Sequence, residues 1–123
     1  MITQTSVEVP EEQLAPIREL CGGDVRFMME GERRLIHMPQ LHFLVDGQEQ
    51  CMDALLCLNH SNPSYPTKLY LAAQLGCGLN WNESIFLLNR NWFTFSWSNV
   101  PGHQTPLEIL AAHLAPLARG RAA

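Results

Sequence analysis

Four thiols and five imidazoles are the groups in this chain best suited to chemistry: Cys21, Cys51, Cys57 and Cys77, with His37, His42, His60, His103 and His113. Their spacing excludes several readings. There is no CxxC pair, and Cys57 with His60 forms only a C-x2-H fragment, whereas structural zinc takes about four ligands from paired clusters. The histidines are dispersed, and HExxH, the P-loop, GxGxxG and GxSxG are all missing. No metal or cofactor is expected. Cys77 stands apart from the other thiols. It lies between Gly76 and Gly78, whose backbones let another chain approach closely, and the amides of Asn80 and Asn82 follow. An accessible thiolate there is a nucleophile; tucked in, the same residue is a small inert apolar group. Cys51 and Cys57 fall six apart on one predicted strand, share a face and read as core, while Cys21, before Gly22, reads as structural.

The elements that must position these groups follow from local pattern. Pro10-Glu11-Glu12 suits a helix start, with Leu14, Ile17 and Leu20 on one face and Gly22-Gly23 as its stop; Pro16 inside it predicts a kink or a later start near Ala15. Val25–Met29 and Arg34–Met38 read as strands about a Glu30-Gly31 turn. Leu41, Phe43 and Val45 alternate as a half-buried strand, Asp46-Gly47 is a turn dipeptide, and Cys51–Leu58 suits a central strand. Asn59–Pro66 is turn-rich, and Lys68–Ala73 is the next strand. Ile85–Leu88 and Trp92–Trp97 read as short pieces of an irregular aromatic segment about an Asn89-Arg90-Asn91 turn. Thr105-Pro106-Leu107-Glu108 is a capping box opening a last helix through Leu107, Leu110, Ala111 and Leu114. The expectation is an α+β domain: N-terminal helix, antiparallel four-stranded meander, irregular segment, C-terminal helix. Residues 1–9 and 119–123 read as flexible ends of one domain at 10–118.

The chain has 123 residues, 46% hydrophobic and 16% charged, which fits one ordered domain and argues against intrinsic disorder. Eight Lys plus Arg against twelve Asp plus Glu give −4, a poor balance for gripping phosphates, so no nucleic-acid partner is expected. No apolar run reaches the roughly 18 residues of a membrane span. The opening MITQTSVEVPEE lacks the basic and apolar parts of a secretory signal, so a cytoplasmic location with reduced thiols is expected.

A more specific reading rests on Asn62-Pro63-Ser64-Tyr65-Pro66, a Tyr-Pro turn followed at once by a strand, then Glu83–Leu88, then Trp92 or Trp97, a proline and a capped helix. Over roughly residues 10–118 this order resembles the ubiquitin-conjugating enzymes, particularly the short bacterial members found beside ubiquitin-like proteins and activating enzymes. The resemblance implies that fold. It also implies that a ubiquitin-like protein arrives from a ubiquitin-activating-like enzyme as a cysteine thioester and passes to an amine on a protein target. Two departures matter. The family's His-Pro-Asn tripeptide is missing, and the position aligned with its reactive cysteine is Phe86. Cys77, nine residues earlier, is then the candidate catalytic thiol, with Asn80 and Asn82 as oxyanion donors. The N-terminal helix around Leu14 and Arg18, with Glu11 and Glu12, is the face expected for the activating enzyme, and Tyr65, Pro66 and Trp81 are candidate partner contacts.

Two alternatives stay open from sequence. One is an inactive relative that binds the ubiquitin-like protein or its activating enzyme, which Phe86 favours. The other is a small acidic chaperone-like binding module, which low charge and many aromatics suit.

Overall fold

The computed structural model describes residues 9–60, 65–75, 81, 83–95, 97 and 100–119. Eight elements follow in order: α1 (Glu11–Arg18), β1 (Arg26–Glu30), β2 (Arg33–Val45), β3 (Gln48–Cys57), β4 (Lys68–Leu71), β5 (Glu83–Leu87), β6 (Arg90–Thr94) and α2 (Pro106–Arg119). All six strands join one antiparallel sheet in the order β1-β2-β3-β4-β6-β5.

The expected four-stranded meander is therefore corrected, and with it the ubiquitin-conjugating architecture. The segment expected to be irregular is a hairpin, with Ile85 opposite Trp92 and Leu87 opposite Arg90. Its turn residues Leu88 and Asn89 have φ of 51° and 68°, the left-handed pair that suits the twist of a two-residue hairpin loop. The turn expected at Asn89-Arg90-Asn91 thus forms one residue earlier, because Leu88 takes a conformation that leucine rarely adopts. The hairpin then docks through β6 onto β4, leaving β5 as the sheet edge. A second correction concerns β2. Arg34–Met38 and Leu41–Val45 are one strand, broken in register between Met38 and Leu41 where Gln40 takes a φ of 53°.

Other local signals meet their elements. Gly31 (φ 61°) joins β1 to β2, and Asp46-Gly47 (φ 55° and 80°) joins β2 to β3. The capping box opens α2: Thr105 N–H donates to Glu108 Oε1 at 3.0 Å, and Glu108 N–H donates to Thr105 Oγ1 at 3.3 Å. Helix α1 starts at Glu11 and runs through Pro16 to Arg18, and it ends where Leu20 N–H donates to Ile17 O at 2.9 Å and Cys21 N–H to Arg18 O at 3.1 Å, ahead of Gly22-Gly23.

Alternation along the strands makes two cores. Ile36, Met38, Leu41, Ala54, Leu56, Leu69 and Leu71 face α1 and α2, meeting Leu14, Ile17, Ile109, Leu110 and Leu117. The opposite parity buries Leu35, Leu55, Cys57, Tyr70, Leu87 and Trp92. Strong curling of the sheet explains how this second face is buried. In a flat sheet β6 would lie three strand spacings, about 14 Å, from β2. Yet the Trp92 ring stands edge-on to the His37 ring with centroids 6.2 Å apart. Trp92 and Leu87 of the β5–β6 hairpin thus reach over the concave face and cover it beside Leu35 and Leu55.

Candidate functional site

The connection from β4 to β5 carries Cys77, Asn80 and Asn82, and these three lie outside the described residues. What is described is how the chain enters and leaves that connection. It departs from β4, whose four residues are all buried. Ala72 N–H donates to Asp53 O at 3.0 Å, which holds the departing chain to β3. Gln74 Nε2 donates to the carbonyl of Trp81 at 3.3 Å, closing the connection on itself. The Trp81 ring packs on Phe95 at 5.1 Å and 57°, and its buried indole N–H has no partner among the described residues. Trp81 is therefore half-buried against the helix-side core, with its ring committed to Phe95.

The polar cluster nearest the start of this connection spans three strands. Asp53 Oδ1 accepts the Gln40 backbone N–H at 2.9 Å, and Oδ2 accepts from Arg90 at 2.9 Å. The Arg90 guanidinium lies 4.6 Å from the Trp92 ring centre, and Trp92 Nε1–H donates to Leu87 O at 2.9 Å. Partial burial pushes the Asp53 carboxyl up, but the Gln40 and Arg90 hydrogen bonds outweigh it and hold the carboxyl below its usual range. Burial lowers the pKa of His37; Asp53 opposes that shift and Arg90 and Arg26 reinforce it. This cluster was invisible in sequence because its members meet only through the register and the curl. Its chemistry is that of a strap: a carboxylate held charged and a cation stacked on indole, closing the hairpin over the sheet.

The remaining sequence candidates are placed as follows. Leu14 is 5% exposed and turned into the core, so the part of α1 open to a partner is Glu11, Glu12, Ala15 and Pro16, with Glu19 just past its end. Arg18 fastens α1 to the start of β1, donating to Val25 O at 3.0 Å and pairing with Glu11 and Asp24. Tyr65 and Pro66 are half-buried just before β4. Tyr65 O accepts from His60 Nδ1–H at 2.8 Å, and the Lys68 ammonium lies 4.9 Å from the Tyr65 ring centre. His60 thus belongs to the start of β4, whereas the Cys77 connection leaves from its end, about 10 Å along the strand. Phe86 is 61% exposed on β5.

The described thiols divide clearly. Cys57 is buried as expected; burial raises its pKa, with Asn59 and Arg33 opposing. Burial, with the Cys51 thiol adding, pushes Cys21 up to about 11, so it is protonated near neutrality. Cys51, expected in the core, is exposed, because it lies in the first half of β3, before the strand enters the covered part of the sheet. Among the described residues no three His, Cys, Asp or Glu side chains converge as a metal site, and no helix is long and apolar enough to cross a membrane.

A buried pair that sequence left without a role is Thr67 and His113. Thr67 Oγ1 lies 2.9 Å from both Val100 O and His113 Nε2. A carbonyl only accepts, so the hydroxyl proton goes to Val100. Thr67 then accepts from His113 Nε2–H, which fixes a neutral ring in that tautomer. Burial, with Lys68 adding, brings the His113 pKa down to about 4.

Comparison with family models, curated proteins and solved structures finds no match.

Proposed function

We propose that this chain carries a ubiquitin-like protein as a thioester on Cys77, receiving it from a ubiquitin-activating-like enzyme and passing it to an amine on a target protein. The Cys77 sulfur attacks the thioester carbonyl held by the activating enzyme, and the bond to that enzyme's sulfur breaks as its thiolate leaves. A target amine later attacks the new thioester, an amide forms, and the Cys77 thiol is released. The reading rests on the order of motifs about residue 77. It does not depend on the strand count that departs from the conjugating-enzyme architecture. The observation that carries it is the clamp on both sides of the thiol: Gln74 bonded to the Trp81 carbonyl and Trp81 packed on Phe95. Such a clamp fixes the two described ends, Gln74 and Trp81, between which the glycine-flanked thiol lies in sequence. Asn80 and Asn82 are proposed as oxyanion donors, and the exposed acidic side of α1 as the contact for the activating enzyme.

The test mixes the chain with ATP, a ubiquitin-like protein and the activating enzyme, and reads adducts with and without reductant. The native chain should form a reductant-sensitive adduct. Cys77→Ser should give a reductant-stable ester, and Cys77→Ala none. No adduct from a demonstrably charged activating enzyme, or an unchanged adduct in Cys77→Ala, overturns the reading. A second reading, a non-catalytic binder of the same partners, is favoured by Phe86, which presents an exposed ring on the open edge strand β5.

A further inference from the structure

The described part of the chain holds one thiol that is both exposed and paired with an imidazole. Cys51 on β3 stands directly opposite His42 on β2, and their Sγ and Nε2 atoms are 3.7 Å apart. Both side chains are exposed. They share the sheet face opposite the helices, beyond the stretch that the β5–β6 hairpin covers. His42 also lines an open cavity of about 250 Å³ with Phe43, Leu44 and Glu49, and Leu44 is 47% exposed there. Each part has a local cause. The Met38/Leu41 register break sets His42 opposite Cys51, and the His42 backbone N–H, bonded to Leu20 O at 2.8 Å, steadies the strand there.

We propose that Cys51 and His42 form a reactive thiol site that takes up low-molecular-weight disulfides by exchange. His42 Nε2 accepts the thiol proton, and Cys51 Sγ attacks one sulfur of the disulfide RS–SR. A Cys51–S–SR bond forms as the RS–SR bond breaks, and the departing RS⁻ takes the proton back from the imidazolium as RSH. The Cys51 sulfur is oxidised to the disulfide level and the leaving half is reduced, so the small disulfide is the only oxidant required. Internal disulfide formation with Cys21 does not follow: Cys21 pairs with Leu41 on the other side of β2 and packs toward the helix-side core. Two strand spacings, about 10 Å, separate it from Cys51, beyond the reach of a disulfide. The half-exposed Leu44 in the cavity lining suits a disulfide carrying organic substituents.

The experiment exposes the intact chain to oxidised glutathione at neutral pH and follows each cysteine by mass spectrometry of its peptide. Cys51 should acquire one glutathione before Cys21 or Cys57 reacts. His42→Ala and His42→Gln should each slow it severalfold, since Gln preserves a hydrogen bond but takes no proton, and added imidazole should restore the rate. Cys77 is read on its own peptide, and its rate should be unmoved by either variant, which separates this site from the proposed carrier function. Equal rates at Cys51 and Cys21 overturn the proposal. So does a native rate at Cys51 in His42→Gln.

Discussion

Acidification should weaken this fold through His113 before its carboxylates begin to protonate. The ring is 2% exposed, neutral, and donates to Thr67 Oγ1 at 2.9 Å. Its pKa falls from an ordinary 6.5 to about 4 in the folded chain. Between those values the unfolded chain binds a proton that the folded chain refuses. The stabilisation is therefore fully present above pH 6.5 and is lost as the pH falls toward 4. That gap, at roughly 1.4 kcal/mol per pH unit, amounts to about 3 kcal/mol in full, of which about 2 kcal/mol has gone by pH 5. The assay is urea unfolding at pH 7, 6 and 5, followed by tryptophan fluorescence, on the native chain and His113→Gln. The glutamine can keep a donor toward Thr67 but does not titrate. It should cost some stability at pH 7 and lose about 2 kcal/mol less than the native chain between pH 7 and 5. His37, depressed in the same direction, is present in both proteins and cancels. Identical pH dependence in the two proteins would falsify the reasoning, as would a ring titration by NMR centred near the ordinary histidine value.

Three further outcomes follow from single contacts. Thr105→Ala removes the reciprocal cap of α2 and should cost about 1 kcal/mol, read as a lower urea midpoint. Arg90→Ala breaks an ion pair that water already screens and uncovers Trp92, so about 1 kcal/mol is expected, with a changed near-ultraviolet tryptophan signal; an unchanged signal would mean that Arg90 does not hold the hairpin. Phe86→Lys should leave stability within about 0.5 kcal/mol, because the ring is exposed on an edge strand where lysine is tolerated. If the chain acts as a non-catalytic binder, the same change should abolish capture of the ubiquitin-like partner in a titration.

What was legible in the sequence was what is local. Asp46-Gly47 and the Thr105–Glu108 box specify a turn and a cap through their own side chains and backbone freedom, whatever surrounds them. The hairpin at Leu88-Asn89 is held by other forces. Trp92 gains a buried place over the sheet and a bond to Leu87 O, and these compensate for a leucine at φ 51°. The separation expected between Arg34–Met38 and Leu41–Val45 fails for the opposite reason: the strand absorbs Pro39-Gln40 as a register break while Gly22 and Gly23 N–H groups take the Gln40 and Pro39 carbonyls. Of the candidate site, the glycine-flanked thiol was visible by residue type. The dyad of His42 and Cys51, nine residues apart, depends on β2–β3 register, and a core reading of Cys51 assumed that all of β3 is covered.

Strand β6 links these observations to the proposed chemistry. Its alternation puts Trp92 into the concave core, while Phe95, just past its end, enters the helix-side core and supports Trp81. The β6 segment therefore covers the concave face and supports Trp81 where the chain returns from the Cys77 connection. Phe95→Leu separates the two roles, because it removes the ring beneath Trp81 and leaves Trp92 and its bond to Leu87 in place. The stability cost should be about 1–2 kcal/mol, that of a partly filled core site. Charging of Cys77 should slow by about tenfold, since orientation rather than thiol chemistry is lost. The comparison that decides is with Ile109→Val, which lightens the same core and leaves the Phe95 ring in place. If both variants charge at the native rate, the Trp81 clamp does not position the thiol, and the ends of the connection are packing alone.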